Sequence, residues 1–279
     1  MSPAAFALCL GFGVLVGTFS GLLGLGGGVL LVPFLYWLLP QVFDGSADPE
    51  VLTVMAHATS LSVIVLASSS GVWAYHRKDA VARPTLLAMG LGAVVGATLG
   101  ARAATEVPAG ALKAGFGVLL VAAGLRLVAD RRRRTAAAPP RGGWGLAAAG
   151  GAGTGFLAAL MGVGGGILAI PFLIYAVRLD LKKVAGTSLG MIAFGATAGT
   201  LTYVLSGLGA QGRPAGALGY VFLPATLALA PGAVAAARLG AWLNQRMDVR
   251  LLRRVFALVL VVLGLRLAWL NGTALAALF

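Results

Sequence analysis

Charged side chains are scarce: they make up 10% of the 279 residues, against roughly 25% in a soluble globular domain. Acidic residues are scarcer still. There are eight: Asp44, Asp48, Glu50, Asp79, Glu106, Asp130, Asp180 and Asp248. All fall in predicted loops or at the ends of apolar spans, so no carboxylate is expected at mid-membrane depth. Pumps and cation-coupled carriers often bury one there to hold a proton or cation, so the lack tilts the substrate toward anions. The lone cysteine, Cys9, excludes an internal disulfide framework and a multi-cysteine metal site. It reads as a small buried apolar residue. There is no HExxH, no pair of mid-membrane carboxylates and no serine–histidine pair at a readable spacing. Those absences argue against an enzyme and against a metal or cofactor. No basic segment precedes the first apolar run, so no cleavable signal peptide is expected.

Apolar residues are abundant. The chain is 59% hydrophobic with a mean hydropathy of +0.95, which implies an all-α polytopic membrane protein whose main partner is the lipid bilayer. A span needs about 20 apolar residues. The first half (1–129) reads as one long apolar region, 3–39, followed by spans at 51–74, 84–104 and 110–129. The second half (144–279) reads as 144–177, then 184–206, 218–238 and 251–275. Residues 130–143, DRRRRTAAAPPRGG, form a basic linker. The net charge of +13 gathers in short loops such as Arg131–Arg134. It reports membrane orientation, because such loops face the cytoplasm. No basic soluble module exists to bind nucleic acid.

One phrase occurs twice. Residues 17–34 read GTFSGLLGLGGGVLLVPF and residues 155–172 read GFLAALMGVGGGILAIPF. Gly24, Gly26, Gly27, Gly28, Pro33 and Phe34 fall on Gly162, Gly164, Gly165, Gly166, Pro171 and Phe172 at an offset of 138. The repeat continues: Thr59, Ser60, Leu61, Gly71 and Tyr75 match Thr187, Ser188, Leu189, Gly199 and Tyr203 at offset 128. Pro84, Gly92, Gly100, Phe116 and Gly124-Leu-Arg-Leu match Pro224, Gly232, Gly240, Phe256 and Gly264-Leu-Arg-Leu at offset 140. Three blocks in order argue for duplication of one unit.

Loop charge suggests how the units relate. The loop at 40–50 is acidic, whereas its equivalent at 178–183 carries Arg178, Lys182 and Lys183. The stretch 105–110 has no basic residue, whereas its equivalent around 239–254 carries Arg246, Arg250, Arg253 and Arg254. Matching loops then lie on opposite sides, making the repeats inverted and putting both termini in the periplasm. This requires each long region to return to the side it entered from, as a hairpin of two arms of about 15 residues, each about 22 Å long, broken at the triple glycine. The competing reading, one long tilted helix per region, makes the repeats parallel.

At these residues the chain resembles the sulfite exporter TauE/SafE family, also called the toluene sulfonate uptake permease family. The resemblance rests on GLLGLGGGVLLVPF, MGVGGGILAIPF and Gly186-Thr187-Ser188-Leu189, and covers essentially the whole chain. It implies a bacterial inner-membrane carrier of sulfur-containing anions such as sulfite or organosulfonates. His57 departs from the pattern, standing where the second half has Ala185.

Two broken helices at matching positions point to the substrate site of a secondary transporter. Opening a helix frees backbone N–H groups, and its N-terminal end carries about half a positive charge. Gly26, Gly27 and Gly28 with Gly164, Gly165 and Gly166 are therefore candidate anion-binding residues, with close helix packing as the plainer alternative. This is no dinucleotide fingerprint or phosphate loop: Val29 stands where a third glycine belongs, and no lysine follows. The hydroxyls of Thr59, Ser60, Thr187 and Ser188 can donate to sulfite or sulfonate oxygens, or can bond their own or a neighbouring helix. His57 is the only histidine in a span and can carry a proton. Arg126 and Arg266 are symmetry mates that serve either as anchors or as substrate contacts. Gly13, Gly17 and Gly21, like Gly92, Gly96 and Gly100, form small-xxx-small rows for helix contact. The functional reading is a secondary carrier of a small sulfur-containing anion working by alternating access. A carrier of another small solute, a scaffold subunit and an embedded enzyme are the alternatives.

Overall fold

The computed structural model describes residues 2–43, 47–129, 143–210, 214–244, 246 and 250–276. The linker at 130–142 lies outside these residues, as do Asp44, Asp130 and Asp248. The described chain is all-α except for one two-residue hairpin. The first half folds as α1 (Pro3–Leu23), α2 (Gly28–Val42), α3 (Pro49–His76), α4 (Arg83–Ala104) and α5 (Ala109–Ala129). The second half folds as α6 (Trp144–Leu160), α7 (Gly166–Tyr175), α8 (Leu181–Gly207), β1 (Ala217–Leu218), β2 (Val221–Phe222), α9 (Leu223–Asn244) and α10 (Arg250–Ala276). Six of the described helices are long and apolar enough to cross a membrane.

Local chemistry sets several helix starts. Ser2 caps α1 by accepting from the Ala5 N–H, with Pro3 in the first turn. Asp48 and Asp180 cap α3 and α8 by accepting from the N–H groups of Glu50 and Lys182. Such caps satisfy donors that have no intrahelical partner.

Both long apolar regions break where the glycines predict. Gly24, Gly26 and Gly27, and their mates Gly162, Gly164 and Gly165, all have positive φ, from 67° to 89°. Only glycine adopts that backbone without steric cost. Past each break the chain folds back on itself. A Cβ on Gly27 would meet Val16 and Ser20 of α1, and the Phe34 ring stacks on Phe12 at 4.0 Å. In the second half a Cβ on Gly165 would meet Ala158 and Thr154, and the Phe172 ring covers Gly150. The arms are unequal, however. They run 21 and 15 residues in the first hairpin and 17 and 10 in the second, not 15 each.

The halves interleave. The most extensive helix pairings are α1 with α9 and α4 with α6. Gly13, Gly17 and Gly21 lie against the backbones of Leu229, Ala233 and Ala237, and Gly92, Gly96 and Gly100 against Ala148, Ala152 and Phe156. In both pairs residue numbers rise together, so the helices run parallel. The glycine rows thus serve close backbone contact, as small residues do between membrane helices. By the same reasoning α3 runs parallel to α9, through Ser62–Thr226 and Ser70–Val234 contacts, and α4 parallel to α8, through Gly90–Phe194 and Leu86–Gly190.

Two other pairs run antiparallel. Gly71 meets Leu189 while Gly199 meets Leu61 between α3 and α8. Gly117 meets Gly264 while Gly124 meets Ala257 between α5 and α10. Exchanging equivalent positions of the halves converts each of these contacts into the other member of its pair. Together the directions place the start of α1 and the end of α10 on one side. The ends of α3, α5, α7 and α9 lie on the other.

Candidate functional site

The two glycine crossovers meet each other. A Cβ on Gly28 would lie 2.6 Å from the Gly162 carbonyl oxygen, and one on Gly166 would lie 2.5 Å from the Gly24 carbonyl oxygen. These are equivalent contacts, so 24–28 and 162–166 pass each other backbone to backbone in opposite directions. Ile64 and Ile192 flank the passage, lying 3.0–3.3 Å from a Cβ built on Gly164 or Gly26. All of 24–29 and 162–167 are buried.

The helices resume from glycine caps, Gly27 and Gly165, that have no side chain to accept from the first turn. Among the described residues, the N–H groups of Gly26, Gly27, Gly28 and Val29 donate no hydrogen bond, nor do those of Gly164, Gly165, Gly166 and Ile167. Buried backbone N–H groups are almost always paired. Eight unpaired donors, four per half, at two helix N-termini make a concentrated patch of positive potential. Pro33 and Pro171 sit four residues beyond Val29 and Ile167. Having no N–H, they leave those two carbonyls without a helix donor.

Each of the predicted hydroxyls is fully buried, and the two serines bond the crossing directly while their threonine neighbours bond elsewhere. Ser60 Oγ donates to the Gly162 carbonyl at 2.7 Å and Ser188 Oγ to the Gly24 carbonyl at 3.0 Å. Thr59 Oγ1 accepts from the Phe222 N–H and Thr187 Oγ1 from the Ala82 N–H, both at 3.0 Å. The serines thus place their protons on the crossovers, whereas the threonines accept and keep an O–H to donate. Tyr75 and Tyr203 complete the set, donating to the carbonyls of Gly21 and Ala159 at 2.9 and 2.8 Å. The tyrosines stand out in the repeat at offset 128, yet their role emerges only from these contacts.

Thr59→Val keeps the shape but leaves the buried Phe222 N–H without an acceptor. We expect it to lower the unfolding free energy by about 1–3 kcal/mol. Thr187→Val, whose Ala82 N–H is only part-buried, is expected to be milder. Unfolding of the purified variants in detergent checks both; a larger loss for Thr187→Val contradicts the assignment.

The first half carries polar groups that the second lacks. His57 is fully buried, its Nε2 hydrogen bonded to the Tyr36 hydroxyl. Its Nδ1 has no hydrogen-bond partner. A Cβ on Gly162 would lie 2.7 Å from the His57 Cα, so the histidine backbs directly onto the second crossover. Ser20 Oγ, beside Gly27, is also buried without a partner. Arg126 and Arg266 are exposed, away from this buried cluster, and Arg126 lies over the Tyr175 ring at 5.6 Å.

A sequence model of the family described as Sulfite exporter TauE/SafE matches residues 9–267. The probable membrane transporter protein YunE of Bacillus subtilis is 26% identical over 286 residues, covering 95% of this chain and 98% of its own. A probable membrane transporter protein of Haemophilus influenzae is 28% identical over 269 residues, covering 93% and 97%. One from Methanocaldococcus jannaschii is 27% identical over 262 residues, covering 91% of each. No solved structure matches the chain.

Proposed function

The chain belongs to the sulfite exporter TauE/SafE family and is a membrane transporter, and from that premise we propose that it is a secondary carrier of a small sulfur-containing anion, sulfite or an organosulfonate. The observation that carries this reading is the set of eight buried, unpaired N–H donors at the crossing. Two helix N-termini contribute about half a positive charge each, together about one charge, without a cationic side chain. Oxyanion oxygens accept such donors, and the free O–H groups of Thr59 and Thr187 extend the set. Gly26, Gly27, Gly28, Gly164, Gly165 and Gly166 form the cradle. Ser60 and Ser188 hold its walls.

The pairing of the halves supports a mechanism of alternating access. They act as inverted repeats in the inner membrane, with both termini periplasmic and the linker cytoplasmic. Because equivalent contacts exchange between halves, a form open to one side has a counterpart open to the other, reached by swapping the conformations of the two halves. No nucleotide-binding motif accompanies the spans, so the driving force is the membrane potential or a co-transported ion.

Flux of labelled sulfite and of an aryl sulfonate into proteoliposomes of purified protein tests this. We expect saturable flux of at least one of them above protein-free vesicles. Flux of neither, from protein shown to be monodisperse, overturns the sulfur-anion reading.

A further inference from the structure

Lys113 is a half-buried lysine in the span of α5, and Glu50 acts on its charge from a distance without forming an ion pair among the described residues. Its nearest acidic neighbour by sequence and packing, Glu50, instead accepts from the Ala109 N–H at 2.5 Å. The ammonium sits over the Tyr36 ring, 5.4 Å from its centroid. Both residues line a cavity of about 140 Å³ between α2, α3 and α5, walled otherwise by Leu35, Leu39, Leu52, Pro40 and neighbouring residues. A charge in a membrane segment is costly unless something answers it. Here the walls are apolar apart from Thr53 and the Tyr36 hydroxyl, and the space beside the charge holds about one small oxyanion.

Behind this cavity stands the only hydroxyl–imidazole pair joining α2 to α3 among the described residues, Tyr36 with His57. The direction of this bond depends on the His57 tautomer: with the ring proton on Nε2 the histidine donates to the Tyr36 oxygen and leaves the Tyr36 O–H to donate elsewhere, and that is the tautomer the site uses. The His57 backbone abuts Gly162 of the second crossover. Tyr36 and His57 fall on Ile174 and Ala185 in the second half, so this device exists on one side of the molecule only.

Resting on the reading of the substrate as a small anion, we propose that the cavity between α2, α3 and α5 is a second, outer oxyanion site, distinct from the glycine crossing. Lys113 supplies its charge and the Tyr36 hydroxyl, oriented by His57, its hydrogen bond. The site lies on the side of the chain termini. An anion held there is one residue pair, Tyr36 and His57, away from the second crossover.

The test is sulfite binding by calorimetry on purified, monodisperse protein, with flux measured on the same preparations. Lys113→Gln removes the charge and is expected to weaken binding by about tenfold or more, the scale of one charge-assisted hydrogen bond. Tyr36→Phe is expected to weaken it less. Lys113→Arg, which restores charge, is expected to recover most of the affinity and guards against a folding defect as the cause. Parent-like binding and flux in both Lys113→Gln and Tyr36→Phe overturn this site and leave the carrier reading standing. A weakening in Lys113→Gln that Lys113→Arg does not recover also overturns it. Absence of binding and flux in the parent overturns the sulfur-anion reading first and this site with it.

Discussion

Gly28→Ala and Gly166→Ala are each expected to abolish anion flux while the protein still inserts and purifies. The backbone at these two positions is ordinary; the obstacle is space. At Gly28 the added methyl would lie 2.6 Å from the Gly162 carbonyl oxygen and 2.7 Å from the Val163 Cα. At Gly166 it would lie 2.4 Å from the Leu25 Cα. Neighbours made of backbone cannot turn aside as a flexible side chain can, so the crossovers must separate. Overpacking of this kind costs about 1–3 kcal/mol, little against the stability of a large membrane bundle. It moves the two helix N-termini off their shared centre, which is where the unpaired donors lie. Gly27→Leu and Gly165→Leu add backbone strain to the same effect, since φ is +76° and +89° there. The check is sulfite affinity and flux on monodisperse variants. If Gly28→Ala and Gly166→Ala transport like the parent, the anion does not pass the crossing, and the repeated phrase serves packing alone.

An alkaline phosphatase fused after Phe279 is expected to be active and a green fluorescent protein fused there dark, with the opposite outcome for insertion of either reporter into 130–142. The helix directions put the start of α1 and the end of α10 on one side. The ends of α3, α7 and α9 and the first turn of α8 lie opposite and carry Arg77, Lys78, Arg178, Lys182, Lys183 and Arg246. The side of the termini carries Asp48, Glu50 and Glu106, with Arg102 and Lys113 as its basic residues. Basic loops stay in the cytoplasm, which is why the termini are expected in the periplasm. A fluorescent C-terminal fusion would reverse the assignment of sides; activity of phosphatase at both positions would remove the two-sided arrangement altogether.

Much of the architecture is legible in the sequence because membrane helices announce themselves by length and the repeat announces itself by offset. The spans expected at 84–104 and 110–129 are found as α4, 83–104, and α5, 109–129. The hairpin breaks fall on the glycines for a local reason, positive φ, that a triple glycine in an apolar run advertises. Other features depend on distant partners. The expected span at 218–238 begins instead at Leu223 and runs to Asn244. Before it the chain turns through β1 and β2, held where the Phe222 N–H reaches Thr59, 163 residues away. Strands of two residues leave no periodic signal. At the site, the paired glycines and hydroxyls are readable because both halves repeat them. Whether a hydroxyl donates or accepts is not, since Ser60 and Thr59 differ only in what stands opposite. Tyr36 escapes notice because it has no counterpart to repeat it. Lys113, by contrast, could be found from sequence: a lone lysine inside the expected 110–129 span is a signal in its own right.

The interleaving of the halves has a consequence for biogenesis. Gly13 of α1 rests on Leu229 of α9, 216 residues later in the chain. At a synthesis rate of 5–20 residues per second, α1 waits roughly 10 to 40 s for its partner. Through that interval its glycine seam, Gly13, Gly17 and Gly21, lies open in the bilayer, available to any other small-residue face. A second copy of the first half offers the matching positions only if it inserts turned over, which its loop charges oppose. Two separately made halves are therefore expected to reassemble in the membrane, whereas two copies of the first half, held in one orientation, are not.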